Sequence, residues 1–404
     1  MFAAGCALSR KLLGLVLAPP RALTEQTLCI CPRNCLCAIF ATLLGFQLFA
    51  PGIYAQKAGK QAQGEWRFAV SGDSRDCGDV VMPAIAAAVM KDGASFYWHL
   101  GDFRAIHDFD QDMQRRPEHL AGGAKGPLEI AQYEDAAWQD FIQYQIAPFG
   151  SMPVFLGIGN HDTIEPFKSR EKFVAQFADW LNTPTIRAQR LRDDPSDHHV
   201  KTYYHWVDRR VDFINLDNAT SDQFDKAQAK WFEKVLAQDQ ANPDIRAVVV
   251  GMHTALPDSL AAAHSMNDWP AGERSGRGVY ADLLKLRAGG KQVFLLASHS
   301  HFYMANIFFT EYWRAHGGVL PGWIVGTAGA VRYPLPGDAS EAAAARTNVY
   351  GYLLATVNAG VHGPSPIDFE FREVREADVP ATVTTRFGSA LVHQCFSNNS
   401  EAQQ

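Results

Sequence analysis

Short apolar runs recur along this chain, and each gives way to glycine and a polar residue. Trp66-Arg-Phe-Ala-Val70 predicts a strand that ends in Ser71-Gly72-Asp73-Ser74-Arg75. Ser95-Phe-Tyr-Trp-His-Leu100 predicts a second, ending in Gly101-Asp102. Pro153-Val-Phe-Leu156 breaks at Gly157 and Gly159 and delivers Asn160, His161 and Asp162 together. Lys201 to Val207 and Val211 to Leu216 alternate as the arms of a hairpin, with Asp208-Arg-Arg210 at the turn and Asp217 after the second arm. Ala247-Val-Val-Val-Gly251 runs into Met252-His253, and Gln292-Val-Phe-Leu-Leu-Ala297 runs into His299-Ser300-His301. Continuous apolar runs of this kind suit strands buried on both faces. Gly322 to Gly326, Tyr350 to Val357 and Ile367 to Val374 read as further strands.

Helical spacing fills the intervals. Val81, Ile85 and Val89 line one face of Val80–Lys91, and Trp231, Phe232 and Leu236 line Gln228–Ala237. Tyr133–Tyr144, Pro166–Trp180 and Tyr280–Leu286 are also expected to be helical. Strands alternating with helices define an α/β fold, in which ligands bind beyond the carboxyl ends of the strands. Three connections are long, at residues 103–146, 163–200 and 254–278, and long connections beside strand ends are usually binding loops or lids. His198 and His199 lie in the second and read as solvated loop residues. Residues 377–404 turn polar and are expected to form a fraying tail. There is no internal repeat and no low-complexity block.

The first 55 residues differ from the rest. Arg33 precedes an uncharged run, Cys35 to Ala50, followed by Pro51-Gly-Ile-Tyr-Ala55. A basic start, an apolar core and a terminal small residue make a secretory signal, with residues 1–32 reading as an extension from a start assigned too far upstream. The run is shorter than the roughly 20 apolar residues of a spanning helix, so no stable span is expected; left uncleaved, residues 35–50 would anchor the chain. The expected product is secreted or periplasmic, with residues 56–65 as a polar linker and one folded domain over 66–376. The whole chain carries a formal charge of −6. Loss of residues 1–55 removes Arg10, Lys11, Arg21, Arg33 and Glu25, and leaves 33 basic and 42 acidic residues, a net of −9. That sign argues against a nucleic-acid binder working by bulk charge. Only Cys77 and Cys395 of the seven cysteines remain, free or as one bridge, and no C-x-x-C zinc pattern is among them.

Five predicted strand ends therefore carry Asp73, Asp102, Asn160-His161, His253, and His299 with His301. Any one of these is a common turn former or core histidine. Together, carboxylate and imidazole suit divalent first-row metals, and a shared carboxylate can hold two ions about 3.5–4 Å apart that clamp an in-line displacement at phosphorus.

In this order the motifs resemble those of the calcineurin-like metallophosphoesterases: Asp73, Gly101-Asp102, Gly159-Asn160-His161-Asp162, His253 and His299-Ser-His301. The resemblance spans about residues 66–374 and takes in Tyr203-Tyr-His-Trp206, Phe213-Ile-Asn-Leu-Asp217 and Gln228-Ala-Lys-Trp231. It implies a four-layer α/β/β/α sandwich with one or two divalent ions (Fe, Mn or Zn) at the strand ends, and hydrolysis of a small phosphate monoester or diester by a metal-activated hydroxide. It implies that Asp73 and His301 ligate the first metal, that Asp102 bridges, and that Asn160, His253 and His299 complete the second. His161, oriented by Asp162, would steady the phosphoryl oxygens or protonate the leaving group. Asn160 would also touch substrate.

Two departures bear on the first metal. The family's Asp-x-His reads Asp73-Ser74-Arg75, and a guanidinium cannot be a ligand. A neighbouring branch supplies a tyrosine three residues after the second Asp, where this chain has Ala105. A milder change puts Ser298 where the third motif usually begins with glycine. Arg75 is expected either to leave a weak first metal or to turn towards a phosphate oxygen; a pairing with Asp76, Asp79 or Asp102 is the third arrangement. It also admits a different class of protein, a ligand- or phosphate-binding protein that has lost turnover. A serine hydrolase is disfavoured by the lack of a Gly-x-Ser-x-Gly elbow.

Overall fold

The computed structural model describes residues 64–106, 110–115, 129–163, 169–220, 222–358 and 366–400. The expected signal at 1–55 lies outside them. None of the described helices is long and apolar enough to cross a membrane.

Twelve strands are found among the described residues: β1 Trp66–Ser71, β2 Ala94–His99, β3 Val154–Leu156, β4 Tyr204–Asp208, β5 Val211–Asn215, β6 Ala247–Gly251, β7 Gln292–Ala297, β8 Tyr303–Ala305, β9 Gly322–Val325, β10 Ala344–Arg346, β11 Tyr350–Val357 and β12 Ile367–Val374. They form a five-stranded sheet in the order β12-β11-β1-β2-β3 and a seven-stranded sheet in the order β10-β8-β9-β7-β6-β5-β4. β1, β2 and β3 run parallel, as do β5, β6, β7 and β9. Parallel neighbours point their carboxyl ends the same way, so the polar residues after β1, β2, β3, β6 and β7 gather at one rim.

The sheets face each other through aromatic side chains. Phe155 stacks on Trp206 with centroids 3.9 Å apart, and Phe213 meets Phe68 at 5.0 Å and Phe96 at 5.2 Å. Alternation turns Tyr97 and His99 to the other face of the first sheet, where helix Gly78–Lys91 covers it with Val80, Val81, Ile85 and Val89. On the far side of the second sheet, Val248, Val250 and Leu295 pack with Phe232 and Leu236 of helix Lys226–Ala241 and with Tyr280 and Leu283 of helix Pro270–Ala288. The layers are therefore α/β/β/α, the expected sandwich.

Three expectations need correction. The connection at 163–200 holds a further helix beyond the one expected at Pro166–Trp180, since Pro184–Asp193 is also helical and is capped by Thr183; it buries little beyond Ile186 and Gln189, so its apolar stripe is nearly absent. The excursion at 254–278 ends early, because the last helix before β7 already begins at Pro270. The described part of the C-terminal segment is ordered, with Ala381–Phe387 and Ser389–Ser397 forming helices. Val383, Phe387, Leu391 and Val392 of these helices are buried, and Cys395 forms a disulfide with Cys77.

Candidate metal centre

The rim where the strand ends meet is built on strained backbone. Asp73, Asp102 and His299 all have positive φ, at 60°, 59° and 66°. Such conformations persist only where surrounding contacts over-determine them, and they cluster at functional sites. Gly101, at φ 101°, lies so close to the Gly159 backbone that a Cβ would collide with it. That close approach brings the loops after β2 and β3 together, and Asp162 fastens them. Its Oδ2 accepts from the N–H of Asp102 at 2.8 Å and of Gly159 at 2.9 Å, and its Oδ1 from Phe103 N–H at 3.2 Å. Burial, then the neighbouring Asp102, pushes Asp162 up to about 7 against these three N–H groups. Asp162 is thus a clamp on backbone, and the expected pairing with His161 is corrected. The carbonyl of Ala105 orients His161 instead, 2.7 Å from Nδ1.

Four donor atoms converge beyond Asp102. The Nε2 of His253 lies 3.0 Å from Asn160 Oδ1, 3.1 Å from His299 Nδ1 and 3.4 Å from Asp102 Oδ1. Two ligands each ~2.1 Å from one ion, at angles near 90–110°, are ~3.0–3.4 Å apart. Asp102, His253 and His299 are accordingly placed to hold a metal ion together, with Asn160 as a fourth, neutral donor. His253 has its tautomer set from behind: Nδ1 meets the Leu100 carbonyl and Ser298 Oγ, both at 3.1 Å, leaving Nε2 to face the cluster. Ser298, the departure from glycine, therefore has a partner, and Gly72 leaves room for it. Burial opposes charge on His253, yet Asp102 and Asp73 raise it to about 9. Burial and then His253 push His299 down to about 3. Asp102 is held well below the usual carboxylate range, against its burial, by His253 and His161. Asp102 and Asp73 thus favour positive charge at His253.

The first-metal residues are differently arranged. His301 Nε2 is 3.4 Å from Asp73 Oδ1, a buried oxygen without a hydrogen-bond partner. The Val331 carbonyl, 2.7 Å from His301 Nδ1, fixes that ring. Between these groups and Asp102 lies the guanidinium of Arg75. Its NH2 is 3.3 Å from His301 Nε2, its NH1 contacts His161 Nε2, and its Nε is 3.9 Å from Asp102 Oδ2. A divalent ion about 4 Å from a guanidinium meets a repulsion of roughly 8 kcal/mol at an effective dielectric of about 20. The donors Asp102, Asn160, His253 and His299 thus fit a metal ion; the set around Asp73 and His301, with Arg75 inside it, does not fit a second.

Asp73, Arg75, Asp102, Asn160, His161, Asp162, His253, His299 and His301, expected from sequence as site residues, all lie at this rim. Two neighbours were not expected. Tyr333 stacks on His301 with centroids 4.0 Å apart, and the exposed His264 stacks on Tyr333 at 5.5 Å and meets His299 at 5.8 Å. Neither has a motif around it, and only tertiary structure brings them in. Arg104 was also missed. Fully buried, it bonds Asp79 at 2.5 Å, Asp112 at 2.9 Å and also Asp140, and so anchors the loop that follows Asp102.

No protein-family model and no curated protein matches the chain. Solved structures resemble it at low identity. The structure of PhoD aligns over 82% of this chain and 77% of its own, with 14% identity and a TM-score of 0.46. GAP50, the anchor in the inner membrane complex of Plasmodium, aligns over 84% and 96%, with 12% identity and a TM-score of 0.42. A serine/threonine phosphatase from Saccharomyces cerevisiae with similarity to human phosphatase PP5 aligns over 78% and 82%, with 12% identity and a TM-score of 0.28.

Proposed function

We propose that this chain is an exported metal-dependent hydrolase of phosphate esters. The observation that carries the reading is the convergence of Asn160, His253, His299 and Asp102 donor atoms within 3.0–3.4 Å of His253 Nε2, at the ends of strands from both sheets. Asp102, Asn160, His253 and His299 would hold the ion. A divalent cation there supplies Lewis-acid activation of water and neutralises charge on phosphoryl oxygens. The chain's own groups do the rest. Arg75 and His161 both face the space beside Asp102 and would receive phosphoryl oxygens, with His161 as proton donor to the leaving oxygen. Asp162 would keep the two loops in register. Asn160 would contribute its side-chain oxygen to the ion and its amide to substrate. Export rests on the Cys35–Ala50 run and its Ile-Tyr-Ala ending.

The contact of Arg75 with His161 and His301 favours a second reading, a phosphate-binding protein without turnover. Metal analysis with an aryl phosphate monoester and a diester separates the two. Hydrolysis by metal-loaded but not by chelated protein supports the hydrolase. Bound metal and bound phosphate without hydrolysis identify the binding protein.

A further inference from the structure

We infer that the Arg75 guanidinium takes the place of one of two metals, so that the centre holds a single divalent ion with a covalently attached cation beside it. The inference rests on the proposed hydrolase reading and specifies its site. The central observation is the division of labour within Asp102. Its Oδ1 faces His253 Nε2 at 3.4 Å, in the donor cluster, while its Oδ2 faces Arg75 Nε at 3.9 Å. A carboxylate that bridges two cations has this arrangement, and here one of the two positions is filled by arginine. The same guanidinium meets His301 Nε2 at 3.3 Å, a ring whose Nδ1 is turned to the Val331 carbonyl and whose Nε2 therefore offers a lone pair.

Arg75 is held in this position. Its turn is fastened through its neighbour Asp76, whose N–H donates to Asp110 Oδ1 at 2.6 Å and whose Oδ2 accepts from Val331 N–H at 3.1 Å. Cys77 N–H donates to the Gly329 carbonyl at 3.2 Å, and Cys77 is joined to Cys395. The Arg75 side chain is only 13% exposed. A braced, nearly buried arginine is a preorganised positive charge, and a planar guanidinium binds phosphate oxygens well. It needs no metal supply and does not dissociate.

The test is the stoichiometry of Mn²⁺ retained after dialysis, with binding of inorganic phosphate to the loaded protein as a second readout. Wild type is expected to hold one ion per chain. Asp73→Asn is expected to hold one as well, because Asp73 lies outside the donor cluster, its Oδ1 3.4 Å from His301 Nε2 and its Oδ2 accepting from His299 N–H at 2.7 Å. Arg75→His is expected to approach two ions and to bind phosphate differently. Arg75→Met is expected to keep one ion and to weaken phosphate binding by about tenfold or more. Two ions in wild type falling to one in Asp73→Asn would overturn the inference and leave the hydrolase reading standing. A single ion lost in Asp73→Asn, or Arg75→Met binding phosphate as well as wild type, would also overturn it. No retained ion in wild type would overturn both. If Arg75→His does not fold, the Asp73→Asn result decides.

Discussion

His161 and Asp162 show what a sequence can and cannot assign at the scale of the residue. Adjacent in the chain, they read as an imidazole and its orienting carboxylate. The short turn at 161–163 sends the carboxylate inward, to the N–H groups of Asp102, Phe103 and Gly159, and leaves the ring to Ala105. The ligand types were legible because their chemistry is carried by side chains at strand ends. Which atom points where depends on dihedral angles that no spacing encodes. His161→Ala is expected to retain metal while losing roughly 10²–10⁴-fold in rate, the usual size of an acid–base contribution. Asp102→Ala, by contrast, is expected to lose both metal and activity, since its Oδ1 belongs to the donor cluster. Metal content measured beside turnover distinguishes the two. An empty site in His161→Ala would make that histidine a ligand.

At the scale of elements, legibility followed the strength of the apolar pattern. β6 and β7 were plain because Ala247–Gly251 and Gln292–Ala297 are nearly unbroken apolar runs. β8 and β10, three residues each, are too short to show a period. Helix Pro184–Asp193 was hidden by its polarity, and an ion pair explains how so polar a helix is held. His205 on β4 reaches Asp212 on β5 at 2.8 Å and Asp193 at the end of that helix at 2.6 Å. Burial disfavours the charged ring, but Asp212 and Asp193 raise it to about 10. A histidine raised in the folded state from an ordinary 6.5 contributes stability that is complete below pH 6.5 and is lost as pH climbs towards 10. Asp239, raised from an ordinary 3.8 to about 9 by burial and then by Asp212, adds a loss of the same sign that begins above pH 3.8 and is complete near 9. The melting temperature is therefore expected to fall between pH 6.5 and 10, and to fall less in His205→Gln. A wild-type profile that stays flat across this window would show that the pair does not hold the helix.

For the whole molecule, the sandwich and its functional rim were legible from the alternation of strands and helices, but its closure was not. The polar composition beyond residue 377 concealed two helices that return to the first sheet's helical layer. Arg332 secures their end, its Nε donating to the Asn399 carbonyl at 2.9 Å. The disulfide joins positions 318 residues apart and closes almost the entire domain into one loop. Cysteine count left that pairing open because only folding brings Cys77 and Cys395 together. Cys395→Ser is expected to cost roughly 2–4 kcal/mol, the common size for a native bridge, read from denaturant unfolding. A loss near zero would show that the C-terminal helices dock without it.

The donor cluster around His253 is proposed to hold the ion on which phosphoester hydrolysis depends. The decisive measurement adds Mn²⁺ to chelator-stripped protein and follows hydrolysis of an aryl phosphate, in wild type and in His253→Ala. Wild type is expected to gain activity and to saturate with the metal, while His253→Ala stays inactive but folded. Hydrolysis that is independent of metal, or an equal response in His253→Ala, would contradict it.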